Sequence, residues 1–213
     1  MQEFRTILEL IYFASGPLLL IVAGIGLWQL KIAKDTSRIQ ASRAALSLSA
    51  ERCEHYHSHI IPLVNKLDKA VEKHNIKYYT LFEVKIEGKK IQITPNCDRE
   101  VYLAELEKSN HVIAEICETL NAIEAFSVFF ISRVADESIA YTSVGRTFCH
   151  TVRKYIADIV TVSDCGGHYD NLLKLFLLWN SRMQSEKLIR DKQKIENEIG
   201  KLEKRCIQPF GTE

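Results

Sequence analysis

The chain has 213 residues, 46% hydrophobic and 26% charged, with only 4 Pro and 9 Gly, a composition that argues against disordered linkers and against a turn-rich all-β fold. A formal net charge of +1 gives no global pull toward nucleic acid, and no stretch interleaves aromatics with clustered Lys and Arg, so no direct nucleic-acid partner is expected. Six cysteines, at 53, 97, 117, 149, 165 and 206, include no C-x-x-C pair; scattered in this way they point to buried thiols in a reducing compartment, not to a disulfide framework.

Leu10 to Leu30 reads LIYFASGPLLLIVAGIGLWQL and carries no charge. At a rise of about 1.5 Å per residue the stretch reaches about 31 Å, which matches the roughly 30 Å hydrocarbon core of a bilayer. Gly16, Pro17, Gly24 and Gly26 would weaken a soluble helix but are tolerated in a membrane one, and Tyr12 and Trp28 fall near the two ends, where aromatic belts form. Lys31, Lys34, Arg38 and Arg43 follow the span, whereas Arg5 beside Glu3 and Glu9 precedes it, so the positive-inside rule puts the C-terminal portion in the cytoplasm and a short N-terminus of residues 1–9 outside. A cleaved signal peptide would want a basic start, a shorter apolar run and a small-residue cleavage site, and a buried core helix would be shorter. The chain is therefore expected to cross a membrane once. Gly16, Gly24 and Gly26 form no G-x-x-x-G motif, yet they offer small surfaces for packing against another span.

From Lys31 to about Ser58 the pattern is helical, with a thin apolar stripe of Ile39, Ala41, Ala44, Ala45 and Leu48, and residues 31–59 are expected to form a juxtamembrane helix. Pro62 fits a kink or the first turn of a new helix, after which Leu63, Val64, Leu67, Ala70 and Val71 make a strong helical face. The period then changes: Tyr78 to Thr94 alternates around Glu87-Gly88-Lys89 and predicts a small β-hairpin, which must pack on helices to be stable. Asp98 reads as the N-cap of a helix from Arg99 to about Leu120, Asn121 to Val134 as a separate buried core helix, and Asp136 as the N-cap of a helix from Glu137 to about Val162. Ser163-Asp164-Cys165-Gly166-Gly167 is the clearest break, and the last element starts near Asp170 with a dense apolar run through Trp179. Beyond Arg182 the composition turns to Lys, Glu and Arg, while Leu188, Ile195, Ile199 and Leu202 keep coiled-coil spacing with Lys192 and Cys206 at the intervening core positions. The predicted fold is mainly α: one N-terminal transmembrane helix, then a cytoplasmic helical bundle over 60–181 with a β-hairpin insertion at 78–94, then a charged helical tail over 182–213.

Few residues suggest chemistry. In Glu51-Arg52-Cys53-Glu54-His55-Tyr56-His57-Ser58-His59 only Glu51, His55 and His59 share a helical face, which is short of a zinc site without further ligands. Cys165 near His168 would need a third, orienting group to act as a nucleophile pair, and an interhelical turn explains the glycines better. Asp136-Glu137 is a paired carboxylate at a helix start, where the dipole favours acids. Arg133, Arg146, Arg153 and Lys154 could line a basic surface suited to an anion or a lipid headgroup. No phosphate-loop, dinucleotide or nucleophile-elbow motif occurs, so no catalytic residue, metal ligand or cofactor is assigned and an enzyme is not expected. The residues left as interaction candidates are Leu188, Ile195, Ile199 and Leu202 on the tail and Gly16, Gly24 and Gly26 in the span.

The segment from Leu120 to Ile159 resembles an uncharacterised family of bacterial membrane-anchored proteins that combine an N-terminal span, a basic juxtamembrane helix and a compact helical domain. Asn121, Glu124, Phe126, Asp136, Glu137 and Tyr141 match its pattern, and Tyr169, Asn171, Leu172 and Trp179 match its following helix. The hairpin and the long charged tail depart from it. The resemblance implies no established enzyme activity; it implies an accessory or effector protein of a phage-defence system that acts through a protein partner, encoded in the same operon, or through homo-oligomerisation. The competing expectations are a structural subunit of an inner-membrane complex and a metal-dependent hydrolase using His55 and His59.

Overall fold

The computed structural model describes residues 2–88, 90–164 and 168–203. It is mainly helical with one two-stranded antiparallel hairpin, and the chain divides into two compact units, residues 1–47 and residues 48–213.

The first unit is the N-terminal part of one long helix, α1 (Gln2–His55), which contains Pro17. Among the described residues this is the one helix long and apolar enough to cross a membrane, and none of its apolar window is buried. Leu18, Leu19, Leu20, Leu27 and Leu30 lie open, and a Cβ added at Gly16, Gly24 or Gly26 would meet nothing within 4 Å.

The second unit begins with the last turns of α1, where Ser49 and Cys53 are buried. A π-helical turn, Tyr56–Ile60, then leads into α2 (Ile61–Lys73). In a continuous α-helix Pro62 would drop one hydrogen bond and drive its ring at the Ser58 carbonyl. The wider turn accommodates it: the Ile61 amide donates to the Tyr56 carbonyl, five residues back, and Pro62 sits in the first turn of α2.

After a 3₁₀ turn at Tyr78–Thr80 come β1 (Phe82–Glu87) and β2 (Lys90–Pro95), paired in register from Phe82↔Pro95 to Glu87↔Lys90. The hairpin is thus shorter than the alternation predicted, because Tyr78 turns into the core while Gly88, at φ +60°, supplies the left-handed position of the loop. Val84, Ile86, Ile91 and Ile93 are half-buried on one face of the ribbon.

Next are α3 (Arg99–Ser109), a 3₁₀ turn, and α4 (Ile113–Ile131). The expected break at Leu120 is instead at Asn110–Val112, and the expected short core helix is the second half of α4. Nothing at Leu120-Asn121 stops a helix, whereas Ser109-Asn110 offers side chains that compete with helical hydrogen bonds. Asp98 precedes α3 in extended conformation without capping through its side chain. Asp136 does cap α5 (Glu137–Lys154), accepting from the Ser138 and Ile139 amides. The helix expected to run to Val162 breaks at Tyr155, and α6 (Ile156–Asp164) follows. Finally α7 (Asp170–Glu203) enters the core and continues as the charged tail.

The core lies where α4, α5 and α7 meet. Trp179 is fully buried, with Phe126, Phe130, Tyr141 and Phe148 around it at ring-centroid distances of 4.9–6.4 Å. Its indole N–H donates to Glu137. Ser49 is buried against the turn before α5: its hydroxyl donates to the Asp136 carbonyl at 3.0 Å and accepts from the Asp136 amide at 2.6 Å.

The start of α7 is held by a carboxylate from α4. Glu124 accepts from the Asn171 amide at 3.3 Å, the Asn171 side-chain amide at 2.7 Å and the Leu172 amide at 2.7 Å. These satisfy donors that the first turn of a helix leaves open. Glu124→Ala is expected to cost about 2–3 kcal/mol in urea unfolding, with Glu124→Gln recovering part of it. A loss under about 0.5 kcal/mol would show that the clamp is not needed.

Candidate functional site

The tail half of α7 carries the interaction residues picked from the sequence. Leu188, Ile195, Ile199 and Leu202 are 68%, 56%, 48% and 67% exposed, so among the described residues nothing covers the apolar stripe. Lys192 at its centre pairs with Glu196 at 3.5 Å. Cys206 lies outside the described residues.

The basic residues do not all come together. Lys154 pairs with Asp68 at 2.9 Å, while Arg146, His150 and Arg153 fall along one face of α5 and line a cleft of about 140 Å³ with Cys149, Asn180 and Met183. Arg153 is pinned there by donating to Oδ1 of the buried Asn180 at 2.5 Å. Burial pushes the Cys149 thiol up to about 12, so it is an inert packing group and not a nucleophile.

A second cavity, of about 160 Å³, opens between α2 and α5 and is lined by Tyr56, Asn65, Asp68, His150, Thr151 and Lys154 among others. The Tyr155 hydroxyl donates to Asp68, which also takes the Lys154 ammonium. The Tyr155 ring in turn stands edge-on to Tyr79 at 4.8 Å. Next to Tyr79 is Asp158, in the first turn of α6. Its Oδ2 and the Tyr79 hydroxyl are both buried without a hydrogen bond of normal geometry. Burial pushes the Asp158 carboxyl up to about 6, and the neighbouring Tyr79 hydroxyl offsets part of that rise.

Spacing alone placed His55 and His59 on one face, and their rings stack at 5.0 Å across the π turn. Glu51, the third member of that face, is engaged by Arg52 at 2.7 Å. No group of three or more potential metal ligands occurs among the described residues. The carboxylates of Asp136 and Glu137 serve packing. Asp136 caps α5, held below its usual range by the Ser138 hydroxyl and the Ile139 amide, and Glu137 binds the Trp179 indole and lies 3.7 Å from Arg182. Cys165 lies outside the described residues, so its proposed pairing with His168 does too.

Comparison with protein-family models, with characterised proteins and with solved structures yields no match.

The buried acid is the feature that sequence reading passed over. Its signal was present: Asp158 is the lone charge in the apolar run Ile156 to Val162. In the unfolded chain its pKa returns to about 3.9. Between that value and about 6 the folded chain holds a proton that the unfolded chain has released, so the contribution is full below pH 4 and is lost as pH rises through 6. The stability of the wild type minus that of Asp158→Asn is therefore expected to fall by about 2–3 kcal/mol between pH 4 and pH 7. A difference that stays flat in urea titrations over that range would mean that the carboxyl is hydrated.

Proposed function

We propose that this chain is a membrane-anchored interaction protein of the bacterial inner membrane. It crosses once through residues 10–30, holds its helical bundle in the cytoplasm and acts by binding a protein partner or by oligomerising. The observation that carries this reading is the coexistence, on one chain, of an uncharged helix with no buried face and an exposed apolar stripe on the tail. Each is a surface that water disfavours, and each has an obvious solvent elsewhere: lipid for the first, another helix for the second. The basic residues that follow the span support the cytoplasmic orientation. A role as an effector or accessory in anti-phage defence is the more specific form of the proposal, and it rests on the resemblance of residues 120–159.

The first test is fractionation of the full chain expressed in a Gram-negative host. The protein is expected to stay with inner membranes through an alkaline carbonate wash, and a chain lacking residues 1–30 is expected in the soluble fraction. Protease added to intact spheroplasts is expected to leave the bundle uncut. Release by carbonate, or digestion of the bundle from outside, would reject the anchor or its orientation.

A further inference from the structure

The tail stripe has a charge pattern that bears on its partner. Leu188, Ile195 and Leu202 recur every seven residues, with Lys192 and Ile199 between them, which makes them d and a positions of a heptad. Up to residue 203 the flanking e and g positions are Ile189, Asp191, Glu196, Glu198 and Glu203, four of them acids, and the next g position is Arg205. Two such tails side by side would set acid against acid along both flanks, in either orientation, so the stripe is built against pairing with its own kind.

A seam of the opposite character lies on α1, just beyond the proposed span. Ile32, Ile39 and Leu46 also recur every seven residues and are 48%, 53% and 40% exposed. Taken as a positions, they are flanked at e and g by Lys31, Thr36, Arg38, Arg43 and Ala45: three bases and no acid. Within the chain, Lys31, Arg38 and Arg43 make no ion pair among the described residues, and neither do Asp191 and Glu198. Each seam extends about 21 Å at helical rise.

We propose that the tail of one copy pairs antiparallel with residues 31–46 of a second copy. Antiparallel helices pack a positions against d positions. The three apolar residues of α1 then meet the three of the tail: Ile39 with Ile195, Ile32 with Leu202 and Leu46 with Leu188. The same orientation sets g opposite g and e opposite e. Arg38 then faces Glu198 at g, and Arg43 faces Glu196 at e. The pairing rests on the membrane-anchored interaction reading and names its partner as a second copy of the chain.

The test uses full-length chains carrying two different tags, co-expressed and extracted in mild detergent, with capture on one tag and detection of the other. Wild-type copies are expected to capture each other. A tail variant, Glu196→Lys with Glu198→Lys, is expected not to capture itself, and neither is Arg38→Glu with Arg43→Glu, which keeps Lys31 and Lys34 beside the span. Co-expressing the two variants is expected to restore capture, since each reversed seam then meets its complement. All four positions are exposed, and thermal melting of each variant checks that it folds. Failure of the wild type to capture itself, self-capture by either variant at the wild-type level, or no restoration in the mixed pair would overturn the pairing. Membrane retention in the same extracts reports separately on the anchored reading, which survives if only the charge reversals fail.

Discussion

The bundle is organised by the burial of one indole. Trp179 has no exposed surface, and its ring is contacted by aromatics from both α4 and α5. Burying so large a group strands its N–H unless an acceptor follows it inside, and Glu137, in the first turn of α5, is that acceptor. Around this pair the other restraints take their places. Arg182, one turn further along α7, covers Tyr141 at 4.0 Å and reaches toward Glu137, while Glu124 fixes where α7 begins. The end of α1 joins through Ser49, bonded to the backbone just ahead of Glu137. A defect at Trp179 would reach three helices together, because its own ring on α7 meets aromatics of both α4 and α5.

Much of this fold was legible in the chain itself. The apolar run at 10–30, the alternation at 78–94 and the Asp136 cap are local signals, set by neighbours within a few residues; the helices are present, and the hairpin is present from Phe82 onward. What escaped is what tertiary context decides. The break at Asn110–Val112 has only a faint local signal, the Ser109-Asn110 pair, whose Ser109 hydroxyl donates to the Leu106 carbonyl, and Asn121 by itself does not stop α4. Tyr78 belongs to the alternating pattern by sequence and to the core by structure, with Phe82 edge-on to its ring and Tyr102 tilted against it. The π turn was foreshadowed only by Pro62.

The candidate sites divide in the same way. An exposed heptad seam can be read directly because periodicity along one helix is enough to define a face, so Leu188, Ile195, Ile199 and Leu202 could be picked without coordinates. The polar cluster at Asp68, Tyr155, Tyr79 and Asp158 joins α2, the turn before β1, and α6. Residues that far apart in sequence announce nothing by spacing. The basic set was half right: Arg146 and Arg153 are seven apart on one helix and share a cleft, whereas Lys154 is turned to Asp68.

Trp179 and the exposed seam belong to the same helix, and between Trp179 and Ile199 there is neither glycine nor proline. A stretch of that kind is stiff in torsion as well as in bending. Whatever grips the tail and winds it into a supercoil must under-wind α7 slightly, and the twist has no hinge in which to dissipate before it reaches the indole. The tail is therefore a shaft as well as a contact surface, able to carry a mechanical load from the outside of the bundle to the one ring on which its packing turns.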